Sequence, residues 1–447
     1  MSEKKADKSS RLPGLYKLSL DERLDRVSGF VSLTPEEIYQ LKREALPLGT
    51  ADQMIENVIG VFGLPLGIAA NFRINGRDYL IPMAVEESSV VAAASHLAKA
   101  VREHGELTAE SDDPVMIGQI QVCGAPDPEE ARRKILEAKA HILELANEQD
   151  PVLREVGGGA RDVEARVLET PRGTMVIVHL LVDVRDAMGA NAVNTMAENL
   201  APFVEGLTGG KVRLRILSNL ADRRLVRVRL RVAPQAFDEH NYRGQDVVEG
   251  ILNAYALAAA DPYRAATHNK GVMNGIDPVI IATGNDWRAI EAGAHAYAAR
   301  DGQYKPLTTW DRDEKGDLIG RLELPMAVGL IGGATKVHPM AKLSLKILGV
   351  KTASELAEVA ATVGLVQNLA AMRSLVTEGI QKGHMVLHAR NVAASAGAVG
   401  ETIGHVANQM IREGRIRFDR AKQILRHVLK NAEQRLHGGE EGKENDE

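Results

Sequence analysis

A single cysteine, Cys123, in 447 residues excludes an intrachain disulfide framework and a thiolate metal cluster. It lies in the apolar-alternating stretch VMIGQIQVCG and reads as a packed strand residue rather than a nucleophile. Aromatic residues make up only 4% of the chain, so the core has to be built from Ala, Val, Leu and Ile. No dense Lys/Arg block stands in the folded part and the net charge is −5, which argues against nucleic-acid binding. No apolar run approaches the length of a membrane span, and MSEKKADKSS lacks the apolar core of a signal peptide, so a cytoplasmic protein without a membrane partner is expected. The common nucleotide fingerprints are missing too: there is no GxGxxG after a strand and no GxxxxGK[ST]. No internal repeat is visible.

What remains is 45% hydrophobic and 26% charged, with 41 glycines, an ordinary composition for two or three globular domains. The first dozen residues and the tail GGEEGKENDE are polar and expected to be disordered. Asn75-Gly76 sits between apolar-alternating runs and predicts a hairpin, followed by a helix over SSVVAAASHLAKAV. Residues 114–218 read as strand, helix, hairpin across Pro171-Arg172-Gly173, helix from about Ala190, and strand. That β-α-β-β-α-β order is a ferredoxin-like split unit. A further strand, LVRVRLRV, places Arg227, Arg229 and Arg231 on one face and Val226, Val228 and Leu230 on the other. From Asp246 the pattern returns to long helices rich in small residues.

The expected fold class is therefore α+β: a large helix-rich domain, an inserted ferredoxin-like domain and a C-terminal helical segment. The expected boundaries are 1–110 and 223–380 for the large domain, 111–222 for the insert, 381–435 for the C-terminal segment and 436–447 for the tail.

Four stretches at the boundaries of apolar elements carry polar groups. VEESS pairs Glu86 with Glu87 where a strand gives way to a helix; first-turn acids on a solvated face are the alternative. DPYRAATHNKG places Arg264, His268 and Lys270 at what reads as the end of a buried helix, with Gly271 releasing the chain. Helix-end cations complementing the dipole are one reading, and cations waiting for an anion the other. VIIATGNDWRAIEAG reads as a strand, a glycine turn and a helix begun by Asn285-Asp286, either of which can cap. QKGHMVLHAR sets His384 and His388 at i and i+4, but no carboxylate or cysteine completes a metal site, and no metal is expected. In DVRDAMGAN a strand ends at Asp183 and Gly189 leads into a helix whose first amides could hold a pyrophosphate.

Together with ENVIG (56–60), RILSNLADRR (215–224) and AVGLIGGATKVHP, these stretches make the chain resemble hydroxymethylglutaryl-CoA reductase of the soluble bacterial type, over roughly residues 11–430. The resemblance implies reduction of hydroxymethylglutaryl-CoA to mevalonate and CoA by two hydride transfers, or the reverse oxidative acylation. It implies Lys270 as the oxyanion stabiliser, Asp286 as its orienting partner, Glu87 as a proton-bearing acid and His384 as the acid for the departing CoA thiolate. Asp150, Asp186, Ala187, Met188, Gly189 and Asn191 would face the dinucleotide; Asn219, Arg264, Asn274 and His388 would face substrate or CoA. It further implies NADH rather than NADPH, through Asp150, a C-terminal flap, and a homodimer (or assembly of dimers) joined through ENVIG. A catalytically silent CoA-binding scaffold of the same fold is the alternative.

Overall fold

A computed structural model describes residues 9–43, 45–239 and 241–437, with backbone alone for 380–387 and 431–437. The expected tail thus falls almost wholly outside the described residues. Of the first dozen residues, 1–8 also lie outside the described residues, and Ser10 is fully buried, its Oγ donating to the Phe72 carbonyl at 2.9 Å. Its amide donates to Asp78, which Arg102 also grips in a two-pronged ion pair. Ser10 is tied down by a hydrogen-bond network that hydropathy does not reveal.

The predicted hairpin forms between β1 (Leu66–Ile74) and β2 (Arg77–Ala84), with Asn75 and Gly76 at φ +50° and +79°, as a two-residue turn of this twist requires. Further strands are β3 (Gly105–Ser111), β4 (Val115–Cys123), β5 (Gly159–Leu168), β6 (Met175–Asp183), β7 (Lys211–Leu217), β8 (Leu225–Val232), β9 (Thr308–Arg312) and β10 (Leu318–Pro325).

One antiparallel sheet has the order β5-β6-β4-β7. With its helices between β4 and β5 and between β6 and β7, this is the ferredoxin-like order read from the sequence. Its inward residues Ile120, Val122, Val178, Leu180 and Val182 are buried, as are Ile135, Ile142, Val193, Met196 and Leu200 on its helices. A Cβ at Gly118 would stand 2.9 Å from Val193, so the helix Ala190–Thr208 lies close on β4.

A second antiparallel sheet has the order β3-β8-β10-β9. Beside it run the helices Pro262–Ala282 and Ala353–Val376, which approach through glycine. A Cβ at Gly275 would stand 2.6 Å from the Val363 carbonyl, and one at Gly364 would stand 2.7 Å from Ile276. Helix Ala353–Val376 corrects one sequence reading: it is long and apolar enough to cross a bilayer, yet 72% of that window is buried in the protein. Small residues and isolated polar groups hid its length as an apolar run.

Two compact units divide the chain: Met1–Glu86 with Val91–Ala370, and Glu87–Val90 with Ala371–Glu447. In the second, the helices Ile380–Ser395, Glu401–Arg412 and Phe418–His437 share a core of Ala389, Ala393, Val406, Met410 and Ile424.

Candidate active site

The stretch DPYRAATHNKG opens a helix instead of closing one. Asp261 caps it, accepting from the Arg264 amide at 3.0 Å, Pro262 takes the first position, and the helix runs 21 residues to Ala282. Gly271 is internal, and the apolar VIIA is the last turn of this helix, not a strand. Tertiary packing outweighs the roughly 1 kcal/mol that an internal glycine costs. His268 is no cation waiting for an anion. It is 1% exposed, its Nε2 lies 2.5 Å from the Thr308 hydroxyl, and burial, then the nearby Arg264 charge, pushes its pKa down to about 4. Asn368 joins this network through the Thr308 hydroxyl, the Trp310 indole and the His268 carbonyl, so the helix is pinned to β9 and to Ala353–Val376. Lys270 is exposed, and Asn274, one turn on, shares its face and is half-buried. Pro278 has no N–H to give the Asn274 carbonyl.

Sequence reasoning missed the next residue on that face. Asp277 is hydrogen-bonded to Glu291, whose carboxylate lies 2.5 Å from His295 Nε2; His295 Nδ1 is 2.7 Å from the Tyr304 hydroxyl. Burial, then the Glu291 carboxylate, pushes the Asp277 pKa up to about 8. The shared proton sits on Asp277, while the imidazole holds the Glu291 carboxyl low. Glu291 and His295 are i and i+4 on their helix, but nothing in the linear pattern ties them to Asp277. Between about pH 4 and 8 the unfolded chain has released a proton that folded Asp277 keeps. Stability is thus full below the unfolded pKa and falls with rising pH by up to about 1.4 kcal/mol per unit until pH 8. His295, raised chiefly by its bond to Glu291, acts with the same sign, its contribution being lost as pH rises through its folded pKa. Asp277→Asn should therefore flatten the fall in Tm between pH 6 and 8; a slope identical to wild type would overturn this assignment of the proton.

The same contacts set a distance. Helix Trp287–Ala298 spans 12 residues, about 18 Å at 1.5 Å per residue. Asp286 caps its start, accepting from Arg288 and Ala289 amides at 3.0 and 3.2 Å. The other end is tied beside Lys270: Lys305 N–H donates to the Ala298 carbonyl, and Asn269 Nδ2 donates to the Lys305 carbonyl. Lys270 and Asp286 therefore stand at opposite ends of one helix, too far apart to touch within a chain.

Around Asp286 the loops interlock. Asn285 Oδ1 accepts from the Gly329 amide at 2.7 Å, and a Cβ on Gly329 would stand 2.4 Å from the Met188 amide nitrogen. Ala187 bridges to Ile331, and its carbonyl accepts from buried Arg224, whose pKa burial draws down to about 10. The Asp186 carboxylate accepts from the Ala353 amide at 2.8 Å, holding the loop to the start of the helix Ala353–Val376. Gly189, at φ +102°, caps Ala190–Thr208 without a side chain, and a Cβ there would stand 2.6 Å from Val184. No side chain caps the first-turn amides of this helix, which lie beside exposed Asn191. Asn219 is exposed, and its carbonyl would be 2.6 Å from a Cβ at Gly293, so it flanks the Asp286 helix.

Asp150 caps Pro151–Glu155 through Oδ1, accepting from Leu153 N at 2.9 Å. Glu87 is half-buried and belongs to the C-terminal unit, two residues before Ser89, a non-glycine at φ +76°. The His384 side chain lies outside the described residues; His388 is exposed on the same helix.

The ferredoxin-like sheet and the loop after Asp183, locked to the Asn285-Asp286 turn, define an α+β fold that is not of the Rossmann type. A sequence profile of the family described as hydroxymethylglutaryl-coenzyme A reductase matches residues 19–389. The chain is 60% identical over 420 residues to 3-hydroxy-3-methylglutaryl-coenzyme A reductase of Archaeoglobus fulgidus, covering 94% of this chain and 95% of that one. It is 36% identical over 346 residues to a probable reductase of this name from Borreliella burgdorferi, covering 76% and 77%. The class II reductase of Streptococcus pneumoniae, bound to NADPH in open conformations, superposes with a TM-score of 0.79 at 43% identity, over 82% of this chain and 99% of that one. The chain belongs to the hydroxymethylglutaryl-coenzyme A reductase family. Its family reaction is reduction of hydroxymethylglutaryl-CoA to mevalonate with a nicotinamide cofactor.

Proposed function

We propose that each active site is completed by a second copy of the chain, Lys270 coming from one protomer and Asp286 from the other. The observation that supports this is the roughly 18 Å helix between them. The irregular stretch after Met54 exposes Ile55, Ile59 and Phe62 at 65%, 104% and 92%, apolar surface suited to burial between the two copies. In this reading 111–222 is the dinucleotide-binding insert of a large domain formed by 1–110 and 223–380, and 381–435 is the flap.

The Lys270 ammonium polarises the thioester carbonyl and then stabilises the hemithioacetal oxyanion. Asp286 holds that ammonium in place, its Oδ1 fixed by the helix amides. Glu87 gives a proton to the aldehyde oxygen in the second reduction, and His384 gives one to the CoA thiolate. Arg264, Asn219 and Asn274 hold the acyl part and His388 the CoA phosphates. The dinucleotide supplies the hydride when bound. Asn191 and the amides after Gly189 take its pyrophosphate, while Asp186, Ala187 and Met188 shape the loop that receives it. The assay that tests this reading follows nicotinamide absorbance with hydroxymethylglutaryl-CoA, and with mevalonate plus CoA in reverse; no turnover in either direction would leave the silent CoA-binding scaffold as the better reading. The protein acts in the cytoplasm.

The cofactor we assign is NADH. Only Oδ1 of Asp150 is used by the cap, so Oδ2 can accept from a ribose 2′-OH. A 2′-phosphate there would bring about −1.5 to −2 charge against the carboxylate. NADH should therefore be preferred at least about tenfold, since 1.4 kcal/mol suffices for that ratio, and Asp150→Ala should narrow the ratio. The measurement is kcat/KM with both nucleotides; an equal or higher wild-type value with NADPH would reverse the assignment.

A further inference from the structure

We propose that the outward face of the β3-β8-β10-β9 sheet is a binding site for a phosphate-bearing small molecule, gripped by Arg229 and Arg321. The face is the one on which β8 places its alternate arginines. Strand register makes the argument. One row across the sheet reads Glu110, Arg227, Glu323, and Arg227 bonds Glu323 at 2.8 Å and Asp112 at 2.6 Å. Another pairs Glu106 with Arg231, which bonds Glu106 at 3.3 Å and Asp317 at 2.9 Å. Both rows are neutralised by acid, each arginine bonding two carboxylates.

The row between them is not. It reads Thr108, Arg229, Arg321, Thr309, with each residue directly opposite the next on the neighbouring strand. Two cations directly opposite one another destabilise an antiparallel pair. Among the described residues the Arg229 side chain reaches only Glu106, at 3.8 Å, and the Arg321 side chain has no ion pair or hydrogen bond. The row lies in a cavity of about 580 Å³, which Arg227, Arg300 and Leu307 also line, with Glu110 and Glu323 at its edge and Glu323 bonded to Arg227. That volume falls in the range of small-molecule sites. Two guanidinium forks flanked by two hydroxyls supply donors to several oxygens of one anion, as phosphate recognition requires. An anion there would offset the repulsion that the fold otherwise carries. Such phosphate could belong to a free organic phosphate or to CoA itself.

The test is calorimetric titration of the full-length protein with inorganic pyrophosphate, under saturating NADH so that the amides after Gly189 are already occupied. Wild type should bind it, R321Q at least about tenfold more weakly, and R229Q/R321Q without measurable heat. R321K, which keeps the charge but loses the fork, should fall between. Because the glutamine removes a like-charge contact, R321Q should match or exceed the wild-type Tm without anion, and the rise in Tm on adding pyrophosphate should disappear. An unchanged far-UV circular-dichroism spectrum shows that R321Q is folded. Loss of the pyrophosphate signal under saturating CoA assigns the site to CoA phosphates, and its persistence assigns it to a separate ligand. No heat with wild type up to about 10 mM, or equal isotherms for wild type and R229Q/R321Q, would overturn the proposal.

Discussion

Lys270→Ala is expected to fold, to dimerise and to lose at least about 10²–10³ in kcat, the usual cost of removing one donor to a developing oxyanion. The side chain is exposed at mid-helix, so truncating it leaves the buried His268–Thr308–Asn368 network and the packing at Gly275 untouched. Asp286→Asn should be similarly inactive yet folded, since asparagine caps a helix as well as aspartate. The informative experiment mixes the two dead proteins under conditions that exchange subunits. If Lys270 and Asp286 of one site come from different chains, every mixed dimer holds one site with both mutations and one with neither. Random exchange makes half the dimers mixed, so activity should return to about one quarter of wild type. If one chain supplied both residues, every site in the mixture would carry one lesion and nothing would return. Near-normal turnover in folded Lys270→Ala would remove the residue from the chemistry altogether.

The sequence carried the insert almost completely, and the reason lies in its periodicity. β4 and β6 alternate or run apolar, Asp127-Pro128 marks a helix start, and Gly173 marks a hairpin, so each local signal agrees with the fold. The large domain was less legible because its helices are built from small residues that packing has to interpret. Gly271 looked like a stop, yet the chain passes through it as helix. The strands β3, β9 and β10 went unnoticed because their outward faces are charged and their inward residues few. At the site, motif order pointed to Lys270, Asp286 and the DAMGAN loop, but not to the distances between them. The separation of Lys270 from Asp286 follows from how two helices run antiparallel. The Asp277–Glu291 pair follows from the same contact, fourteen residues apart in sequence and visible only once the turn at Gly284 has folded back.

His384→Gln is expected to separate the two halves of the reaction. Reduction of the thioester ends with a CoA thiolate leaving, and a free thiol has a pKa near 8.5, so at neutral pH departure is helped by a donor that gives the sulfur a proton. An imidazolium suits that task; glutamine keeps the volume and a hydrogen-bond donor but cannot give up a proton. Turnover of hydroxymethylglutaryl-CoA should therefore fall about 10²–10⁴-fold, the range general acid catalysis commonly contributes. Free mevaldehyde contains no thiolate, and its reduction draws its proton from Glu87 in the proposed scheme, so kcat with mevaldehyde should stay within a few-fold of wild type. Equal losses on thioester and aldehyde would mean that His384 shapes the site and donates no proton to CoA, and the acid would then have to be sought elsewhere on the helix Ile380–Ser395, with exposed His388 the first residue to test.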